Sequence, residues 1–142
     1  MEPVIREIVG PDLARGFLES LSALAEVNLT FEEAAEVLRA RMRAGIRTYV
    51  ACVGERVVGT ASLVVEQKFI HKAGKIGHIE DVAVHPEARH MKVGSALIRH
   101  AVEHAKRLGC YKVILSCYER LVPFYEGLGF RKHDFGMRMD LK

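Results

Sequence analysis

No apolar stretch in this chain approaches the roughly 20 residues that a membrane-spanning helix needs, which speaks against a helical anchor. Nor is there an excess of one charge. Lysine and arginine total 21 against 18 aspartate and glutamate, a net charge of +3, and the basic residues are scattered. A nucleic-acid surface is therefore not expected, whereas a small anionic molecule suits that balance. Cysteine is scarce. Cys52, Cys110 and Cys117 are an odd set without metal-ligand spacing, and Cys52 and Cys117 sit inside strand-like runs. Reduced thiols in an intracellular compartment are the expectation. The opening Met1-Glu2-Pro3 has no basic-then-apolar leader, and the final Asp140-Leu141-Lys142 is not a peroxisomal address. A cytoplasmic location is expected, with an organelle left open. No repeat or linker-like stretch divides the 142 residues, so they are read as one domain, 1–142, with the 49% hydrophobic and 27% charged content of an ordinary globular protein.

What is present is organised around Gly77 to Ala105. His78 to Val84 carries Ile79, Val82, Ala83 and Val84 between Gly77 and His85-Pro86, which is a strand signal. From Val93 the apolar residues Val93, Leu97, Ala101, Ala105 and Leu108 have the spacing of a helix with one buried face, closed by Gly109. Between strand and helix, Arg89, His90, Met91, Lys92, Val93 and Gly94 should bring successive backbone N–H groups to the positive end of that helix, where an anion sits well. Taken alone, these six residues fit an ordinary basic crossover turn equally well.

In chain order, Val4 to Val9 reads as a first strand, and Asp12 is placed to cap a helix through about Leu24. Thr30 and Glu33 have capping-box spacing ahead of an apolar stripe at Phe31, Ala34, Ala35, Leu38 and Met42. Arg47 to Val53 and Val57 to Gln67 are β-rich runs joined by Gly54-Glu55-Arg56, and His71 to Lys75 is a polar turn. Lys112 to Cys117 reads as a strand, Val122 to Leu128 as a short helix, and Met137 to Leu141 as a last strand. The order β-α-α-β-β-β-α-β-α-β describes an α/β domain with a mixed sheet, in which antiparallel strands lead into one parallel crossover.

Several side chains are candidates for chemistry. Glu80 and Asp81 are consecutive carboxylates inside an apolar strand. They mark either the mouth of a site or a structural pairing, and they reach one pocket only if a bulge re-aims one of them. Tyr125, on the short helix after Cys117, would lie at the crevice edge of the parallel pair, as a proton donor or as core beside Phe124 and Phe130. His100 and His104, four apart, have no third metal ligand in register, so a solvated helix face is expected there and no metal. Cys117 has no histidine close in sequence to activate it as a nucleophile.

The strand, the turn from Arg89 to Gly94 and the helix resemble the acetyl-CoA signature of the GNAT N-acetyltransferases, usually Arg/Gln-x-x-Gly-x-Gly/Ala. Lys92 stands where the first glycine is expected, and Gly94 keeps its place. Four ordered blocks narrow the resemblance to the glucosamine 6-phosphate N-acetyltransferases of the hexosamine pathway. They are Glu66 to His71, Gly77 to Val84, Gly109 to Leu115, and Phe124-Tyr125-Glu126. The resemblance implies the GNAT fold, a mixed and mostly antiparallel sheet with a central parallel strand pair and flanking helices. It also implies acetyl-CoA as co-substrate and an intertwined homodimer with sites at the interface. Residue by residue, Lys68 and His71 would hold the sugar phosphate, with Phe69 and Ile70 giving backbone contacts. Glu80 and Asp81 would meet the sugar hydroxyls and amine, and Tyr111 and Lys112 would line the sugar site. Val82, Ala83 and Val84 would run beside the pantetheine arm, Arg89 to Gly94 would take the pyrophosphate, and Tyr125 would face the leaving sulfur. Two positions depart from the family. Ser116 replaces an acidic residue before the cysteine. Asp140 stands where an arginine binds phosphate, and Arg138, two residues back on the same strand face, is expected to take over that contact. Two alternatives stay open: a same-fold acetyltransferase for another small amine or a peptide, and a non-catalytic acyl-CoA sensor.

Overall fold

The computed structural model describes residues 2–142. Its strands are β1 (Val4–Glu7), β2 (Arg47–Val53), β3 (Arg56–Gln67), β4 (Lys75–Val84) and β5 (Cys110–Ile114), and they form one sheet in that order. All neighbours are antiparallel except β4 and β5, which run parallel. The helices are α1 (Phe17–Ser22), α2 (Phe31–Arg43), a one-turn α3 (Ile70–Ala73), α4 (Val93–Arg107) and α5 (Val122–Gly127). No helix among the described residues is long and apolar enough to cross a membrane.

Strand alternation divides the sheet into two cores. β2 sends Tyr49 and Ala51 to one face, where they meet Leu97, Ala101 and Ala105 of α4, and sends Val50 and Cys52 to the other, where they meet Phe17, Ala34 and Leu38. The helical period noted from Val93 is the buried face of α4, with Val93, Leu97, Ile98, Ala101 and Ala105 all buried. That helix lies directly on β3. A Cβ at Gly59 would stand 2.6 Å from Val93 Cγ1, so only glycine permits the approach. The capping box at α2 forms as its spacing implied: Thr30 Oγ1 accepts from the Glu33 amide at 3.1 Å, and Glu33 Oε1 accepts from the Thr30 amide at 2.9 Å.

Elsewhere tertiary contacts override local signals. Asp12 caps no helix to Leu24. It is buried in a bidentate pair with Arg6 (2.7 and 2.8 Å), and that guanidinium holds its carboxyl below the ordinary range. The chain makes a 3-10 segment, Gly10–Ala14, and then breaks at Gly16. Gly16 has φ +105°, and a Cβ there would lie 2.5 Å from Val57 O. In α2 the stripe is narrower than expected, because Phe31 and Met42 are exposed while Ala34 and Leu38 are buried. β4 begins at Lys75, three residues before the expected start, and β5 runs Cys110–Ile114, which leaves Ser116 and Cys117 beyond it. Residues 137 to 141 form no strand within the chain.

His100 and His104 do not line a solvated face. α4 presses both rings onto β2. His104 Nδ1 lies 2.5 Å from the hydroxyl of fully buried Tyr49, and the His100 ring stands edge-on to Tyr49 at 4.9 Å between centroids. Burial pushes the Tyr49 phenol up to about 12, so it keeps its proton and donates to Nδ1. Burial also lowers both histidines. Arg107 adds to this at both, Arg47 and His100 add to it at His104, and Glu7 opposes it at both. The unfolded chain therefore takes up protons first as pH falls. Stability should be intact above the ordinary histidine value and should decline below about pH 6.5. Melting curves from about pH 5 to 8 check this. Replacing both histidines by glutamine should flatten the acid side, and an unchanged slope would assign the loss to other groups.

Candidate active site

β4 and β5 pair only from Lys75↔Cys110 to His78↔Ile114. Past His78 the pairing of the two strands ends, so Ala83 and Val84 are paired to β3 on one side and, among the described residues, have no strand on the other. A crevice at the carboxyl ends of parallel strands is the usual ligand site of such sheets, and free strand backbone there can pair with an extended ligand.

α4 starts at the crevice. The chain leaves β4 through a 3-10 segment, Pro86–Met91, and turns at Lys92, which is left-handed (φ +57°). This explains the glycine expected at position 92: the turn needs a left-handed residue. Lysine adopts that conformation at a cost of about 1–2 kcal/mol. The first hydrogen bond into the helix is Ala96 N to Lys92 O at 3.2 Å, so the amides of Val93, Gly94 and Ser95 precede any intrahelical bond and point outward. Arg89, His90 and Lys92 are exposed around them, while Met91 packs on the core. A Cβ at Gly94 would stand 3.7 Å from Phe124 Cζ and 3.8 Å from Val84 Cγ2, so the helix start, the end of β4 and α5 meet at this point.

Tyr125 is one residue from that junction. Its ring is 8% exposed and packs edge-on against Phe124 and Phe130 at 5.0 and 5.8 Å. Burial raises its hydroxyl above the ordinary phenol value, with a further push from Cys117. No buried side-chain oxygen among the described residues lacks a partner. Among the described residues the Tyr125 hydroxyl has no hydrogen-bond partner, so its oxygen is not fully sealed from solvent. The ring is therefore core, packed between Phe124 and Phe130.

The two carboxylates share a side because of a bulge. Ser62 pairs with Glu80 and Thr60 with Ala83, so β4 spends one extra residue there, and Asp81 takes a left-handed φ of +49°. Ser62 faces the same side as its cross-strand partner Glu80. It also lines a cavity of about 90 Å³ with Thr48, Thr60, Arg41 and Asp81, under the apolar side chains of α1 and α2. Arg41 gave no sequence signal beyond being a basic residue at a helix end. It reaches Ser62 Oγ at 2.6 Å and Thr48 Oγ1 at 3.2 Å.

A second group of candidates lies at the far end of β4. Lys68 Nζ and His78 Nε2 sit 3.2 and 3.0 Å from the Glu66 carboxylate, and the His78 contact, then the Lys68 one, holds Glu66 below the ordinary range. After Lys68 the chain makes α3, whose residues His71, Lys72 and Ala73 are all left-handed (φ +52°, +54° and +58°). Each costs about 1–2 kcal/mol relative to ordinary backbone. Phe69 and Ile70 are exposed at its tip. His71 packs on Tyr111 at 4.5 Å, and Lys112 Nζ lies 5.9 Å from that same ring.

The chain does not bring these two groups together. Gln67 pairs with Lys75 and Ser62 with Glu80, so five residues of strand, about 17 Å, separate the cationic end from the carboxylates. That is farther than one hexose phosphate reaches. Arg138 makes no side-chain bond to either group. It is exposed and bonded to Asp140 at 2.8 Å in the segment after α5.

A family model described as the acetyltransferase (GNAT) family matches residues 14–130. The chain is 46% identical over 127 residues to a glucosamine 6-phosphate N-acetyltransferase of Trypanosoma brucei brucei, an alignment covering 87% of this chain and 86% of that protein. Among solved structures it resembles glucosamine-6-phosphate N-acetyltransferase from Arabidopsis thaliana, with a TM-score of 0.94 at 30% identity and all of both chains covered. A Trypanosoma brucei acetyltransferase superposes with a TM-score of 0.91 at 43% identity, over 99% of this chain and 100% of that one. The parted strand pair, the outward amides at the start of α4 and these near full-length likenesses agree, and the chain belongs to the acetyltransferase (GNAT) family.

Proposed function

We propose that this protein transfers an acetyl group from acetyl-CoA to the 2-amino group of glucosamine 6-phosphate, by direct attack in a ternary complex. The observation that carries the reading is the parting of β4 and β5 beyond His78, flanked by Glu80 and Asp81 on one side and by the outward amides of α4 on the other. The identity of the acceptor is supported by the 46% identical trypanosomal relative, which is named for that sugar phosphate.

The residues present suit the coenzyme. Val82 and Val84, whose side chains pack on the α4-side core, offer strand backbone to the pantetheine arm, with buried Ala83 between them. The amides from Val93 onward, with Arg89, His90 and Lys92 around them, suit a pyrophosphate. When bound, acetyl-CoA supplies an activated thioester. The amine attacks its carbonyl carbon, the C–N bond forms as the C–S bond breaks, and the amine gives up one proton. Glu80 and Asp81 orient the acceptor and are the carboxylates assigned to take that proton, since Ser116 is a poor base. Tyr125 donates to the departing sulfur.

The protein acts as a homodimer in this reading. Lys68, His71, Tyr111 and Lys112 lie too far from Glu80 within one chain to share a substrate with it, and a second copy is the available source of the missing half. The segment after α5 supports a partner copy as well. Phe135, Met137, Met139 and Leu141 are 94%, 93%, 83% and 89% exposed, an alternating apolar row with nothing of its own chain to cover it.

The test is a panel of amines. Glucosamine 6-phosphate should exceed glucosamine in kcat/KM by about 10²-fold or more, because losing the phosphate strands the cationic groups built to bind it. Equal values, or a preference for a polyamine or peptide, would move the assignment to another acceptor. No thiol release with any amine would leave a coenzyme sensor.

A further inference from the structure

We propose that Gln67 is a positioning residue for the acceptor's phosphate, its carboxamide holding the left-handed turn that carries Lys68 and His71. This rests on the assignment of those two residues to the sugar phosphate and deepens it.

The turn has no local reason to exist. Three consecutive residues with side chains, His71, Lys72 and Ala73, are left-handed, and neither glycine nor asparagine stands among them. Such backbone persists where its surroundings over-determine it. Two groups do so here. On the β5 side, the Tyr111 ring packs on His71 at 4.5 Å and fills the space beside Gly74, where a Cβ would come within 2.7 Å of the ring. On the β3 side, Gln67 Nε2 donates to Ala73 O at 2.7 Å and lies 3.2 Å from both Lys68 O and Gly74 O. Three carbonyls thus converge on one amide. The Lys68 amide closes the base of the turn on Gly74 O at 2.8 Å.

The requirement is for a neutral donor of this length. Glutamate has the same shape and no N–H, and it would place an anion against three acceptors. Gln67→Glu therefore removes the clamp with almost no change of volume. Gln67 itself is not assigned a contact with substrate. Its influence passes through the place and fixity of Lys68 and His71.

Gln67→Glu and Lys68→Ala should be compared with the parent protein by steady-state kinetics on glucosamine 6-phosphate and on glucosamine, and by hydrogen exchange at the Lys68 amide. For Gln67→Glu we expect the KM for the sugar phosphate to rise roughly 10-fold or more, as for a displaced substrate-positioning group. Its kcat, its KM for acetyl-CoA and its activity on glucosamine should stay within about 2-fold, and the Lys68 amide should exchange faster. If Lys68→Ala raises that KM and Gln67→Glu does not, the clamp is overturned while the phosphate assignment stands. If neither variant moves it, the assignment falls and the clamp with it. Equal losses on both sugars with a lowered melting temperature would make Gln67 a fold element only, which also overturns the proposal.

Discussion

Deleting residues 135–142 should give a folded monomer that has lost at least about 10²-fold in kcat/KM, because a half-site without its complement cannot orient the acceptor. The deleted segment makes no strand in the chain that carries it, and its apolar residues at 135, 137, 139 and 141 are almost fully exposed. Alternation with a period of two is the mark of a strand with one buried face, so the segment has the pattern of a strand and lacks only a sheet to join. The cationic groups near Lys68 and the carboxylates near Glu80 are also too far apart to share a substrate within one chain. The proposed homodimer would answer both observations if its two copies exchange segments and complete each other's crevice. Sedimentation and kinetics on one preparation check it, with far-UV circular dichroism to confirm folding. Because truncation can unfold a chain outright, Met137→Asp with Met139→Asp is the companion variant. Those charges keep the full length and oppose only the packing. A truncated protein that sediments as the parent does and turns over normally would place the second half-site elsewhere in the chain.

The parts of the fold legible in sequence are those whose cause is local. The capping box at Thr30 and Glu33 is two side chains three residues apart, and it forms. The face of α4 is a period of 3.6, with Val93, Leu97, Ala101 and Ala105 buried and Leu108 partly buried just past its end. The bulge was visible as a condition, since consecutive Glu80 and Asp81 share a side only if the strand gains a residue, and β4 gains one. What stayed hidden was set by distant groups. Gly16 breaks the first helical stretch because Val57 O lies where a side chain would stand. His100 and His104 look like a polar face until β2 places Tyr49 against them. The turn at His71 to Ala73 has no glycine to announce it, and Lys92 takes a conformation for which the pattern expects glycine. The site residues were nameable through resemblance, but their division into two ends follows from the β3–β4 register, which single residues do not reveal.

Tyr125→Phe should lower kcat by roughly 10²-fold or more, the scale of a positioned proton donor, with little change in either KM. The attack on a thioester expels a thiolate, and a thiolate leaves more readily when a donor meets it. Tyr125 suits that task. Its ring is locked between Phe124 and Phe130, α5 touches the start of α4 through Phe124 beside Gly94, and its hydroxyl has no partner among the described residues. Burial raises the phenol above its ordinary value, so it stays protonated at neutral pH and remains a donor. The substitution keeps the ring and its edge-on contacts, and the hydroxyl it removes has no partner whose loss would weaken the fold, so the melting temperature should stay close to the parent's. A purely structural Tyr125 predicts the reverse, with turnover intact and any effect confined to stability. Measuring kcat, both KM values and the melting temperature on the same preparation separates these outcomes. Full turnover in Tyr125→Phe would remove the residue from the chemistry and leave the thiolate to be protonated by solvent.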